Sequence, residues 1–132
     1  LPPELIRLVY KIKGPDKIAL VTDSLSLAGT AETHGFMQNT EYVIEDGVCK
    51  LMDRSAFAGS IATADRLLRV AVREAGIPLR DAVKMLTSTP AAILGLTDRG
   101  AIEAGKAADL VALDQDLTVR RVFVGGEVVF EK

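Results

Sequence analysis

Residues 17–23, KIALVTD, constrain this chain more than any other stretch. Ile18, Ala19, Leu20 and Val21 form an unbroken apolar run closed by one carboxylate, Asp23. A run without polar alternation suits a strand covered on both faces, as inside a parallel sheet. In parallel α/β barrels the chemistry collects at the C-terminal ends of strands, so an acid there is a candidate for function. An Asp that closes a strand also caps turns and helices, and the residues alone leave both readings open. Upstream, Pro2 and Pro3 suit a helix start, and Leu5, Leu8, Val9 and Ile12 recur on one face until Gly14-Pro15. Helix, short loop and buried strand make half of a βαβ unit, which predicts the α/β class.

Beyond Asp23 the pattern loosens. Residues 24–39 hold Gly29, Gly35 and many small polar side chains, a long loop of the kind that more often serves function than idles. Residues 41–44 and 48–51 flank Glu45-Asp46-Gly47, and Asp-Gly between apolar runs predicts a tight hairpin. Phe57, Ala58, Gly59 and Ser60 include small residues that let a ligand approach the backbone. The next helix carries Leu67, Leu68, Ala71, Val72 and Ala75, with Ser60 or Thr63 as its cap and Gly76 at its end. Another spans residues 78–87 with Ala82, Val83 and Leu86 inward, and Thr89-Pro90 opens a short one ended by Gly95. From Gly100 the chain turns to β, with strands at 109–113, 121–124 and 127–130, the last two joined by Gly125-Gly126.

The chain's 132 residues, 48% hydrophobic and 26% charged, suffice for one real core and argue against disorder. A net charge of −2 without a Lys/Arg cluster argues against a nucleic-acid partner, and no apolar stretch approaches a membrane span. No signal-peptide pattern opens the chain. Cys49 is the single cysteine, which excludes an internal disulfide, suits a cytoplasmic location and reads as a buried structural thiol. A catalytic metal site needs about three protein ligands. The one histidine, His34, has no partner at ligand spacing and reads as a solvated loop residue. Ser24, His34 and Asp23 lack a nucleophile-elbow motif, and no phosphate-binding or dinucleotide fingerprint occurs. These residues support one isolated carboxylate beside a glycine-bearing loop. The opening Leu1-Pro2-Pro3, with no initiator methionine before a helix, reads as the middle of a longer polypeptide.

Five segments carry a family resemblance: LVTDSLSLAGT at 20–30, FAGSIATAD at 57–65, TSTPAAILGL at 87–96, GAIEAGKAADLVALD at 100–114 and VRRVFVGGEVVF at 119–130. In this order they closely resemble the C-terminal part of the N-acetylglucosamine-6-phosphate deacetylases, in the metal-dependent amidohydrolase superfamily. The GKAADLV tail and the TPA helix are shared across many amidohydrolases. The VTD segment with its AG loop, the hairpin and AGS point to the sugar-phosphate branch.

The resemblance implies the C-terminal part of a (β/α)8 barrel over residues 1–99 and C-terminal strands of a small β-sandwich over residues 100–132. It makes 17–23 the eighth barrel strand and Asp23 the general acid/base that moves protons as the acetamide is hydrolysed to glucosamine 6-phosphate and acetate. Phe57, Ala58 and Gly59 match a loop whose main chain contacts substrate. The implied cofactor is a divalent metal, zinc or similar, whose Glu and His ligands lie upstream, leaving Asp23 at most beside or on the metal. A homodimer is implied for the full-length protein, and inactivity for this stretch alone. Another amidohydrolase, dihydroorotase-like or a deaminase, and a non-catalytic truncated module are the competing readings.

Overall fold

The structure is a computed structural model that describes residues 1–132. It is mixed α/β, with two small antiparallel sheets and no long parallel one. The chain divides into two compact units, Val21–Leu67 and a discontinuous one made of Leu1–Leu20 and Leu68–Lys132. No helix is long and apolar enough to cross a membrane.

In the discontinuous unit, helix α1 (Pro3–Lys13) starts on proline and ends where the Gly14 N–H returns to the Tyr10 carbonyl at 2.8 Å. Its buried side is not the predicted one. Ile6 and Tyr10 pack on the core, while Leu5, Leu8, Val9 and Ile12 stand exposed. The helix is apolar on two sides, and periodicity cannot tell which side the rest of the chain covers. Two long-range bonds seat it: Arg7 Nε donates to the Ala75 carbonyl at 2.8 Å, and the Tyr10 hydroxyl donates to Asp81 Oδ2 at 2.5 Å.

The run expected as a buried strand is not one. Lys17 closes a 3-10 turn (Pro15–Lys17), Ile18 is extended, and the Leu20 N–H bonds to the Met85 carbonyl at 2.9 Å. No strand lies alongside, and Val21 is 73% exposed. A parallel strand exists only through its neighbours' hydrogen bonds, and this chain contains no such neighbour.

Helix α2 (Ala64–Arg69) continues into a π-helical turn, Val70–Glu74, and is followed by α3 (Leu79–Leu86) and α4 (Ser88–Ile93). Leu68, Ala71, Ala75, Ile77, Ala82, Met85 and Leu117 form the core of this unit. Met85 takes the inward place expected of Val83, which is left exposed. Thr89 is not a cap: it lies inside α4, buried, with its hydroxyl donating to the Pro15 carbonyl at 2.8 Å. Strands β4 (Leu110–Leu113), β5 (Val119–Val124) and β6 (Glu127–Glu131) follow as an antiparallel meander. The expected Gly125-Gly126 hairpin is present, with Val124 opposite Glu127.

The contiguous unit is built on β1 (His34–Met37), β2 (Thr40–Glu45) and β3 (Val48–Leu51), in that order across the sheet. Asp46-Gly47 turns β2 into β3 as expected, with φ of 54° and 73° and Glu45 opposite Val48. Both φ values are those of a type I′ turn, whose twist matches the strands. Tyr42, Cys49 and Ala58 form its fully buried centre, packed by Leu25, Leu27, Ile44, Leu51 and Ile61.

Candidate functional site

All four residues singled out from the sequence, Asp23, Phe57, Ala58 and Gly59, fall in the Val21–Leu67 unit. Residues 56–58 run along the outer edge of β3. The Leu51 N–H bonds to the Ala56 carbonyl at 3.0 Å, and the Ala58 N–H to the Cys49 carbonyl at 3.1 Å. Extended backbone sends successive side chains to opposite sides. Ala58 therefore points into the Tyr42–Cys49 core, 3% exposed, and Phe57 projects into solvent at 73%. An aromatic ring held out by a pinned backbone is a natural contact for a ligand's apolar face.

Gly59 then turns the chain with φ of 79°. A Cβ there would lie 3.0 Å from Leu25 Cγ, so the absence of a side chain also lets the 57–59 loop close on residue 25. Immediately afterwards Ser60 pairs in parallel with Ser24. The Ser60 N–H donates to the Asp23 carbonyl at 3.1 Å, and the Leu25 N–H donates to the Ser60 carbonyl at 2.8 Å. The main chain at Asp23 and the chain leaving Gly59, 36 positions apart in sequence (59 − 23), thus become neighbours through one bridge.

Asp23 is exposed and holds φ of 50°, the left-handed region that non-glycine residues occupy only when the surroundings impose it. Asp tolerates this region better than most residues do. Exposure leaves its side chain accessible from solvent. Asp23 opens no helix, since the next one in the chain, α2, begins only at Ala64.

Other candidates separate. Ser24 donates its hydroxyl to the Ala62 carbonyl, and His34 Nδ1 pairs with the Thr33 hydroxyl at 3.0 Å, so no nucleophilic triad is assembled. Ser60 is not a helix cap; its Oγ accepts from the Ala62 N–H at 2.9 Å. Cys49 is a buried free thiol, and burial pushes its ionisation upward, which keeps it protonated and unreactive at neutral pH. No group of three or more His, Cys, Asp or Glu that could hold a metal ion occurs in the chain. The Ser24–Ser60 pairing escaped sequence reading because it is non-local. Its one trace is a pair of serines, each directly following a left-handed residue.

The Amidohydrolase family model matches residues 12–129. The chain is 33% identical over 122 residues to an N-acetylgalactosamine-6-phosphate deacetylase of Shewanella sp., covering 92% of this chain and 31% of that protein. It is 35% identical over 126 residues to an N-acetylglucosamine-6-phosphate deacetylase of Haemophilus influenzae, covering 92% and 32%. Among solved structures, the N-acetylglucosamine-6-phosphate deacetylase of Thermotoga maritima superposes with a TM-score of 0.91 at 36% identity, covering all of this chain and 36% of that one. The chain therefore spans about a third of the length of these relatives.

Proposed function

Because this chain belongs to the amidohydrolase family, we propose that it is the C-terminal segment of an amino-sugar-phosphate deacetylase. The substrate is N-acetylglucosamine 6-phosphate, and the products are glucosamine 6-phosphate and acetate. In the complete enzyme, residues 1–99 close a (β/α)8 barrel and residues 100–132 complete a small β-sandwich. The setting is cytoplasmic, and the full-length protein is a homodimer. The likeness to solved deacetylases over the entire chain supports the barrel reading. The observation that supports the function is the main-chain bridge joining the exposed residue Asp23 to Ser60, directly after the Phe57, Ala58 and Gly59 loop.

Hydrolysis of an acetamide needs a proton removed from the attacking water and a proton delivered to the departing amine. Asp23 does both in turn: its carboxylate accepts the proton as the water oxygen bonds to the carbonyl carbon. It then passes a proton to the sugar nitrogen as the C–N bond breaks. Phe57 and the main chain at Ala58 and Gly59 hold the sugar so that its amide faces that carboxylate. The divalent metal of the family is not accommodated by this chain's own residues, which offer Asp23 and no ligand cluster around it. The segment alone is consequently inactive.

In the complete enzyme, Asp23→Asn is expected to lower kcat by about 10²- to 10⁴-fold, the usual worth of a positioned acid/base, with KM little changed. Acetate release from N-acetylglucosamine 6-phosphate and from its galactosamine epimer is the assay. An Asp23→Asn enzyme with parental turnover, or a parent that releases acetate from neither sugar, overturns the reading.

A further inference from the structure

The two stretches that meet at the site are joined by only two backbone hydrogen bonds, Ser60 to Asp23 and Leu25 to Ser60. Both bonds are made by the main chain, on either side of residue 24, and by themselves leave the Ser24 side chain free. A third tie removes that freedom. The Ser24 hydroxyl donates to the Ala62 carbonyl, and the Ala62 N–H donates to Ser60 Oγ at 2.9 Å. Residue 24 is thereby fastened beyond Ser60, on the chain that leads out of the 57–59 loop. Asp23 occupies a left-handed conformation, which persists only where adjoining contacts over-determine it. The Asp23 side chain is carried by that backbone, so a tie at residue 24 steadies the point from which the carboxylate reaches out.

We infer that Ser24 is a positioning residue whose hydroxyl, tied to Ala62, steadies the left-handed Asp23 backbone where it is bridged to the chain leaving the 57–59 loop. The inference rests on the deacetylase reading of Asp23. Ser24 itself touches no reacting atom, and its effect passes entirely through its neighbour. Removing the hydroxyl cuts neither backbone bond but lets both open more often, and the substrate loop stays in place. Turnover should therefore fall while substrate affinity holds.

The test compares Ser24→Ala and Ser24→Thr in the complete enzyme, with Asp23→Asn alongside. Ser24→Ala is expected to lower kcat about 10- to 30-fold with KM nearly unchanged, the scale of a small misalignment of a catalytic group. The amides of Leu25 and Ser60 should exchange hydrogen about fivefold faster, reporting the loosened bridge without reference to activity. Ser24→Thr, which keeps a hydroxyl, should restore both. If Asp23→Asn retains parental kcat, the reading of Asp23 fails and this inference falls with it. If Asp23→Asn is inactive while Ser24→Ala keeps parental kcat and exchange, the tie alone is refuted. Equal losses in the Ala and Thr variants also refute it, because they report packing and not the hydroxyl.

Discussion

Gly59 carries two restrictions at one atom position. Its φ of 79° is a conformation that side chains disfavour, and a Cβ would meet Leu25 at 3.0 Å. Gly59→Ala is expected to destabilise the protein by about 1–2 kcal/mol, chiefly through the left-handed backbone, with Leu25 shifting to make room. Urea unfolding would register it as a lower midpoint with an unchanged slope. At this scale, what could be read from sequence followed residue chemistry. An acid ending an apolar run and small residues in a loop stand out by type, and Asp23 and Gly59 are singled out on that ground alone. The Ser24–Ser60 pairing could not be found so, because a serine has the same composition in a solvated loop and in a bridge. Its partner is chosen by the path of the chain over residues 25–59, which no local rule specifies.

Among elements, the β2–β3 hairpin was the most legible, since Asp-Gly admits few alternatives between two apolar runs. It also carries the chain's densest set of ion pairs. Arg54 Nη2 lies 2.5 Å from Glu45 Oε1, and Lys50 Nζ lies 2.8 Å from Asp46 Oδ2. The Arg54 hydrogen bond holds the Glu45 carboxyl below its ordinary value of 4.5, and Lys50 lowers Asp46 in the same way. The folded state thus favours ionised carboxylates, so the unfolded chain binds more protons in acid. Their contribution is complete above about pH 4.5 and is lost as the pH falls through the depressed folded values. Each pair keeps a solvent-exposed partner, Asp46 in one and Arg54 in the other, so the effect is small and salt-sensitive. Glu45→Gln should flatten the decline in urea midpoint between neutral pH and about pH 3, and added salt should shrink the difference. Strand β1 was missed because HGFM is short and joins β2 through Gln38 at φ 55°, without the glycine that announces such turns. Helix α1 was found, but with the wrong face inward. Periodicity identifies an apolar stripe, whereas the covered side depends on which partners the chain provides.

For the whole molecule, the uncovered stripe of α1 is the main liability. Leu5, Leu8, Val9 and Ile12 are all exposed, Ile12 by 69%. Contiguous apolar surface of this kind drives association. The 132-residue chain on its own is expected to self-associate in gel filtration, and replacing Leu8 and Ile12 with lysine should move it toward the monomer without loss of helical signal. An unchanged elution volume for the double variant would show that another surface is responsible. The same helix has an awkward place in the order of synthesis. Its contacts to Ala75 and Asp81 reach across 68 and 71 positions, past a unit whose β1–β2–β3 pairings are nearby in sequence. At about 5–20 residues per second, α1 leaves the ribosome on the order of 3–14 s before the carbonyl that Arg7 will grip. Residues 21–67 can close their hairpins within that interval, since short-range pairing is fast. Helix α1 therefore docks well after it is made, and it waits with apolar surface on two sides, which makes it a stretch of the nascent chain suited to a chaperone.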